Sequence, residues 1–137
     1  METEGQFAPA TAEAARDRYE AVGPTAQVVV KEVAKAMGLS SDEYRERVTC
    51  AVVETARDVL FAESLAVTVG TREEFDDWAA DTDLEVTVMG ADNVDNVVWH
   101  AAPFTGQAVA ATYQSERDAA VGTLRRQAFG RLYDEVV

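Results

Sequence analysis

The sequence predicts an α+β domain in which a small, mainly antiparallel, four-stranded sheet packs with one face against about five helices. Apolar residues recur with the 3.6-residue period of a helix in residues 11–62 and again in residues 116–136. Between them, short segments alternate apolar and polar residues with the two-residue period of a strand. Helices flanking a run of strands are typical of the α+β class.

Capping residues delimit an N-terminal helical region. Thr11 is the expected N-cap of a first helix, which ends at Gly23. Pro24 can open a second helix because its fixed φ angle suits the first helical turn, and Gly38 ends that helix. The two helices are expected to form a helical hairpin.

A third helix is expected over residues 40–62. Ser40 and Glu43 have the spacing of a capping box. Projected at 100° per residue, the apolar residues of this helix occupy two faces, one with Tyr44, Val48, Val52 and Val59 and the other with Cys50, Val53, Leu60 and Phe61. A helix that is apolar on two faces is buried between layers or lies at an interface.

The middle of the chain predicts four strands, over residues 65–69, 84–89, 94–101 and 108–113. A turn is expected at residues 70–71, where Thr71 and Glu74 form a capping box that opens a short helix. Turn residues at 90–93 predict that the strand over 94–101 returns along the strand before it, and Pro103 ends it. The alanines of residues 108–113 are also compatible with a helix.

A long C-terminal helix completes the prediction. Ser115 is its expected N-cap. Its apolar residues form one continuous stripe, made of Val121, Leu124, Ala128, Leu132 and Val136. We place a flexible N-terminus at residues 1–10 and a single domain at residues 11–137, which is long enough to bury a core without disulfides.

The composition is typical of a protein that works in concentrated salt. There are 25 acidic residues against 12 Lys and Arg, which gives a net charge of -13, while 47% of residues are hydrophobic, too many for a disordered chain. Lys31 and Lys35 are the only lysines, isoleucine is absent, and Ala and Val dominate the apolar residues. Salt at about 1 M shortens the Debye length to about 3 Å, so the repulsion between the acidic side chains becomes weak. Concentrated salt also strengthens the burial of apolar surface, so a core of small side chains is enough to stabilise the fold. The sequence therefore predicts a halophilic source.

Several classes of function and location are disfavoured. Non-specific nucleic-acid binding relies on Lys and Arg and weakens steeply with salt, so nucleic acid is not an expected partner. The first residues lack the basic and apolar pattern of a signal peptide, and no segment has the apolar length of a membrane span. Cys50 is the only cysteine and cannot form an internal disulfide. We therefore expect a cytoplasmic protein with no membrane partner.

The region around Trp99, His100 and Phe104 is the candidate ligand-binding or catalytic site. His100 is the only histidine, and an imidazole that titrates near neutrality could act as a general base beside a carboxylate such as Asp92 or Asp95. Aromatic residues with a few polar groups are typical of ligand pockets. The competing interpretation is structural: His100 lies in a strand and Trp99 packs into the core from the opposite face.

Two other motifs match known functional sites only in part, and no cofactor or metal is expected. Asp81, Asp83 and Glu85 match the first positions of a calcium loop, but Val86 stands where that loop needs glycine. Cys50 has no activating partner in the sequence, so it is expected to behave as a small apolar residue.

Two segments, residues 48–61 and 96–104, in this acidic setting resemble the small uncharacterised proteins of haloarchaea. The resemblance covers most of the chain after residue 10. It implies a halophilic archaeal source and no particular activity.

Three functions are compatible with the sequence. The first is a non-catalytic interaction protein that self-associates as a homodimer through the helix over 40–62, with a further protein partner possible. The second is a small enzyme or ligand-binding domain that uses Trp99, His100 and Phe104. The third is a transcriptional regulator whose N-terminal helical hairpin would contact DNA, although its second helix offers only Lys31 and Lys35 to phosphate.

Overall fold

The computed structural model describes residues 1–137 and shows an α+β fold with six α-helices and five strands. In chain order the elements are β1 (Glu2–Glu4), α1 (Ala12–Ala21), α2 (Gly23–Ala36), α3 (Ser41–Arg47), α4 (Cys50–Glu63), β2 (Val67–Thr71), α5 (Arg72–Asp81), β3 (Glu85–Met89), β4 (Asn96–Ala102), β5 (Gln107–Tyr113) and α6 (Arg117–Ala128). A 3-10 turn, Pro103–Thr105, joins β4 to β5, and a π-helical turn, Phe129–Tyr133, extends α6. The predicted α+β class is confirmed.

The sheet is mixed and has five strands in the order β1-β2-β4-β5-β3. β3 pairs with β5 in parallel, and the other three pairs are antiparallel. The prediction of four mainly antiparallel strands was wrong in two respects. It missed β1, which is only three residues long, and it made β4 the neighbour of β3, whereas β5 lies between them.

The helix predicted over residues 40–62 is two helices, α3 and α4. Val48 and Thr49 interrupt it because Thr49 adopts an extended backbone with φ -96° and ψ 168°. The Thr49 side chain then accepts a hydrogen bond from the Val52 amide and caps a new helix. The capping box of Ser40 and Glu43 is present, but it opens a helix of only seven residues.

Helices cover both faces of the sheet, not one face as predicted. The larger core lies between the sheet and helices α1, α4 and α6 and is made of buried side chains such as Phe61, Leu65 and Leu124. On the other face, α5 packs Phe75 against Trp99, Val97 and Ala110. The alternation along β4 therefore sends His100 to the larger core and Trp99 to the smaller one.

Local capping predictions agree with the structure at three sites and fail at a fourth. The Thr11 side chain accepts a hydrogen bond from the Ala14 amide, and Thr71 and Glu74 form the predicted capping box. α6 begins at Arg117 without a side-chain cap, so Ser115 is not its N-cap.

The predicted turn at residues 70–71 is instead the end of β2, with Gly70 beneath the ring of Trp99.

The first ten residues contain β1, which pairs with β2, and Phe7, whose ring packs edge-on against Phe61 at 5.6 Å. The flexibility of residues 1–10 and the domain boundary at residue 11 stay predictions. None of the helices combines the length and the apolar character that a membrane span requires.

Candidate functional site

His100 lies in the larger core with only 2% of its surface exposed. Its Nδ1 is 2.6 Å from the carbonyl oxygen of Ala66, and its Nε2 is 2.6 Å from the hydroxyl of Tyr133. Because a carbonyl oxygen can only accept, Nδ1 carries the proton. Nε2 therefore accepts from Tyr133, and both ring nitrogens have a partner.

The surroundings of this pair hold it uncharged. Burial lowers the pKa of His100, the hydrogen bond to Ala66 partly opposes that shift, and the positive charge of Arg125 lowers the pKa further. Burial likewise raises the pKa of the Tyr133 hydroxyl. Both hydrogen bonds of the His100 ring go to other groups, and neither Asp92 nor Asp95 is a partner. His100 therefore has no hydrogen bond to the carboxylate that a general base would use.

The structure does not bring the three candidate residues into one pocket. Trp99 is buried on the opposite face, with its ring 5.3 Å from Phe75 and 5.8 Å from Trp78. Phe104 lies in the 3-10 turn, 6.0 Å from the ring of Tyr133, and borders an open cleft of 410 Å³ whose lining includes neither Trp99 nor His100.

Tyr133 is the central residue that sequence reasoning missed. It is fully buried in the π-helical turn after α6 and contacts His100, Phe104 and Phe61. The only sequence signal was that Tyr133 follows Leu132, which is on the apolar stripe of the last helix. Its hydrogen bond to His100 joins residues that are 33 positions apart.

A different feature stands out on the surface, in residues 23–60, which we call the 23–60 segment. It comprises α2, α3 and most of α4, and its only buried residues are Gly23, Ala26 and Ala34. Seven of the nine exposed large apolar side chains of the chain belong to it: Val28, Val29, Val33, Met37, Tyr44, Val52 and Val59. The segment therefore has no core of large side chains of its own.

A groove of 340 Å³ runs between α2 and α4, and nine of its eleven lining residues are apolar. Val29, Val33 and Met37 line it from α2, and Val52 and Ala56 line it from α4. Arg47 is the only charged residue in the lining.

Polar contacts fix the base of this segment to α1. The Arg57 guanidinium lies 4.4 Å from the centre of the Tyr19 ring, and its Nε donates to the Tyr19 carbonyl oxygen. The Tyr19 hydroxyl donates to Asp58. Burial, together with this hydrogen bond, raises the pKa of Tyr19 to about 12, so it stays a donor at neutral pH.

A family of unknown function, DUF5809, matches residues 6–134. The chain belongs to this family. No curated protein and no solved structure matches the chain. A resemblance to a family without assigned activity is thus confirmed, over nearly the same residues as predicted.

The DUF5809 match includes every α-helix and strands β2 to β5, and it leaves out β1. Both regions described above, the His100–Tyr133 pair and the 23–60 segment, fall within it. Family membership brings no activity to either of them.

The remaining sequence candidates do not form sites. Asp81 is the last residue of α5 and Glu85 the first of β3, so the calcium-like motif spans two elements. No cluster of three or more His, Cys, Asp or Glu side chains is arranged to hold a metal ion. Cys50 is exposed at the first position of α4, so its expected role as a small apolar core residue does not apply.

Proposed function

We propose that this protein is a non-catalytic interaction protein that self-associates as a homodimer, in the cytoplasm of a halophilic archaeon. The observation behind the proposal is that the 23–60 segment buries no large side chain within its own chain. The only buried side chains of the segment are those of Ala26 and Ala34, and each large apolar side chain that is exposed gains about 1.5–3 kcal/mol when it is fully buried.

A second copy of the chain is the partner that this surface favours. Soluble monomers rarely expose large contiguous apolar patches, and such patches mark interaction surfaces. A two-fold dimer is the commonest way for a small chain to cover one. Four of the seven exposed side chains, Val29, Val33, Met37 and Val52, line the one groove between α2 and α4.

The alternative functions lack a comparable observation. His100 is shut inside the core with both nitrogens bonded, which does not favour catalysis or ligand binding around Trp99, His100 and Phe104. A transcriptional regulator would present cations from α2, but this helix exposes Val28, Val29 and Val33 beside Lys31 and Lys35.

The source and the location rest on composition. A net charge of -13 with only two lysines is typical of proteins that work in molar salt. The exposed free thiol of Cys50 favours a reducing compartment such as the cytoplasm.

Sedimentation velocity in molar KCl tests the proposal. We expect one species of about twice the 14.9 kDa chain mass. A species of 14.9 kDa across the micromolar range would contradict self-association.

A further inference from the structure

The 23–60 segment exposes apolar residues on two sides of α2. Val28 and Tyr44 lie on one side, where they line a second depression that also contains Gln27 and Lys31. Val29, Val33 and Met37 lie on the other side and line the groove between α2 and α4. Since their spacing is i, i+4, i+8, these three residues form a ridge along the helix.

The groove side is the more apolar of the two. Its only charged lining residue is Arg47, which forms no ion pair within the chain. The depression on the Val28 side contains two long polar side chains among eight lining residues. Removing the groove side from water therefore requires less desolvation of polar groups.

Charge separates this segment from the rest of the molecule. The 23–60 segment has five cations and six carboxylates: Lys31, Lys35, Arg45, Arg47 and Arg57 against Glu32, Asp42, Glu43, Glu46, Glu54 and Asp58. The other residues hold seven cations and nineteen carboxylates, and with them -12 of the net charge of -13. Two copies of this chain repel each other over most of their surface, but they can meet at this nearly neutral segment.

We infer that the homodimer is two-fold symmetric and is formed by the groove side of the 23–60 segment, where the ridge of Val29, Val33 and Met37 packs against the groove of a second copy. This inference rests on the proposed self-association and adds the surface that performs it. In such an interface the same patch serves both chains, so each copy contributes its ridge and receives the ridge of the other. The acidic bodies of the two chains lie away from the contact.

Two substitutions of opposite charge test the surface. Val33 and Met37 are 53% and 61% exposed in the single chain, so Val33→Asp and Met37→Lys leave the fold of one chain intact. In the dimer Val33→Asp would bury a carboxylate from each copy, and Met37→Lys would bury an ammonium group from each copy in a groove whose one charged residue, Arg47, is also a cation. We expect both to raise the dissociation constant of the dimer by at least about 100-fold.

Val88→Asp is the matched control. Val88 is 41% exposed in the edge strand β3, and it lines neither the groove nor the depression on the Val28 side. It adds the same charge as Val33→Asp, and we expect it to change the dissociation constant by less than about threefold. Far-ultraviolet circular dichroism in the same molar KCl checks that each variant is folded.

The outcomes separate the two proposals. If the wild-type chain is a monomer throughout the micromolar range, the proposed function fails and this inference fails with it. If the wild type and Val88→Asp are dimers and both groove variants are monomers, the inference holds. If the wild type is a dimer and either folded groove variant dimerises as tightly, self-association stands and the groove surface is wrong. Equal weakening by Val88→Asp would also overturn it, since the effect would then come from added charge anywhere on the chain.

Discussion

The hydroxyl of Tyr133 lies 2.6 Å from Nε2 of His100, and this contact ties the π-helical end of α6 to the centre of β4. The other ring nitrogen donates to the Ala66 carbonyl oxygen just before β2. One imidazole thus joins three parts of the chain inside the larger core. Its burial and complete hydrogen bonding give it a structural role.

Replacing His100 should therefore lower stability. His100→Ala leaves a cavity and removes the partner of both the Tyr133 hydroxyl and the Ala66 carbonyl, so we expect a loss of about 3 kcal/mol in the free energy of unfolding. Tyr133→Phe removes only the hydroxyl and should cost about 1–2 kcal/mol. Denaturant unfolding at one fixed KCl concentration measures both. Losses below about 0.5 kcal/mol for His100→Ala would rule out this role.

The same pair predicts a pH dependence of stability. Burial lowers the pKa of His100 in the folded state, while the unfolded chain keeps a value of about 6.5. As the pH falls below that value, the unfolded chain binds a proton that the folded protein does not bind, so stability decreases towards acid and is fully present above neutral pH.

Comparison with His100→Gln isolates this effect from the carboxylates. The difference in unfolding free energy between wild type and variant should be constant above about pH 7 and should shrink below pH 6.5, by no more than about 1.4 kcal/mol per pH unit. A difference that does not vary between pH 5 and 8 would show that His100 does not titrate differently in the two states. KCl is held constant throughout.

Gly70 gives a prediction about packing in the smaller core. A Cβ at this position would lie 2.9 Å from Cη2 and 3.2 Å from Cζ3 of Trp99, so Gly70→Ala forces the indole ring to move. We expect a loss of about 1–3 kcal/mol. Gly122→Ala is the matched control, because Gly122 lies inside α6 with no atom closer than 3.8 Å to the new methyl group. That change should stabilise the protein by about 0.5–1 kcal/mol, so the two Gly→Ala changes should have opposite signs in thermal melts.

The sequence predicted the elements that depend on neighbouring residues. Thr11, Ser40 and Thr71 act on amides three residues away, so their spacing alone located the starts of α1, α3 and α5. The apolar stripe of the last helix was equally local, and Val121, Leu124, Ala128 and Leu132 are buried.

Features that depend on distant residues were not predictable. Residues 90–95 carry the chain from β3 past the position that β5 later fills, and no local pattern encodes that crossing. The break at Thr49 competes with a continuous helix over the same residues, and a threonine fits either one. The partnership of His100 with Tyr133 depends on the fold as a whole, which is why the predicted candidate site grouped His100 with Trp99 and Phe104 and left out Tyr133.

Dependence of stability on salt is the prediction that follows from charge alone. The folded chain concentrates a net charge of -13, whereas the unfolded chain spreads it out, so dilution of salt should destabilise the fold. Ion pairs cannot offset this, because five of the six pairs in the structure, such as Arg45–Asp42 and Lys35–Glu32, lie on the exposed surface, where each contributes at most about 1 kcal/mol.

Charge screening and stronger apolar burial should both raise the melting temperature, and melting curves from about 0.1 M to about 3 M KCl should separate the two effects. Screening is nearly complete by a few tenths molar, where the Debye length is only several Å, so the melting temperature should first rise steeply. A gentler rise at higher concentration should follow from stronger burial of the Ala and Val core and of the valines in the 23–60 segment. A salt that screens equally but is weakly excluded from protein surfaces should reproduce only the steep phase.

The melting temperature of the wild-type dimer should rise more in the gentle phase than that of Val33→Asp, because the groove of a dissociated chain stays in water. A melting temperature that stays constant across the whole range would contradict the halophilic source proposed for this chain.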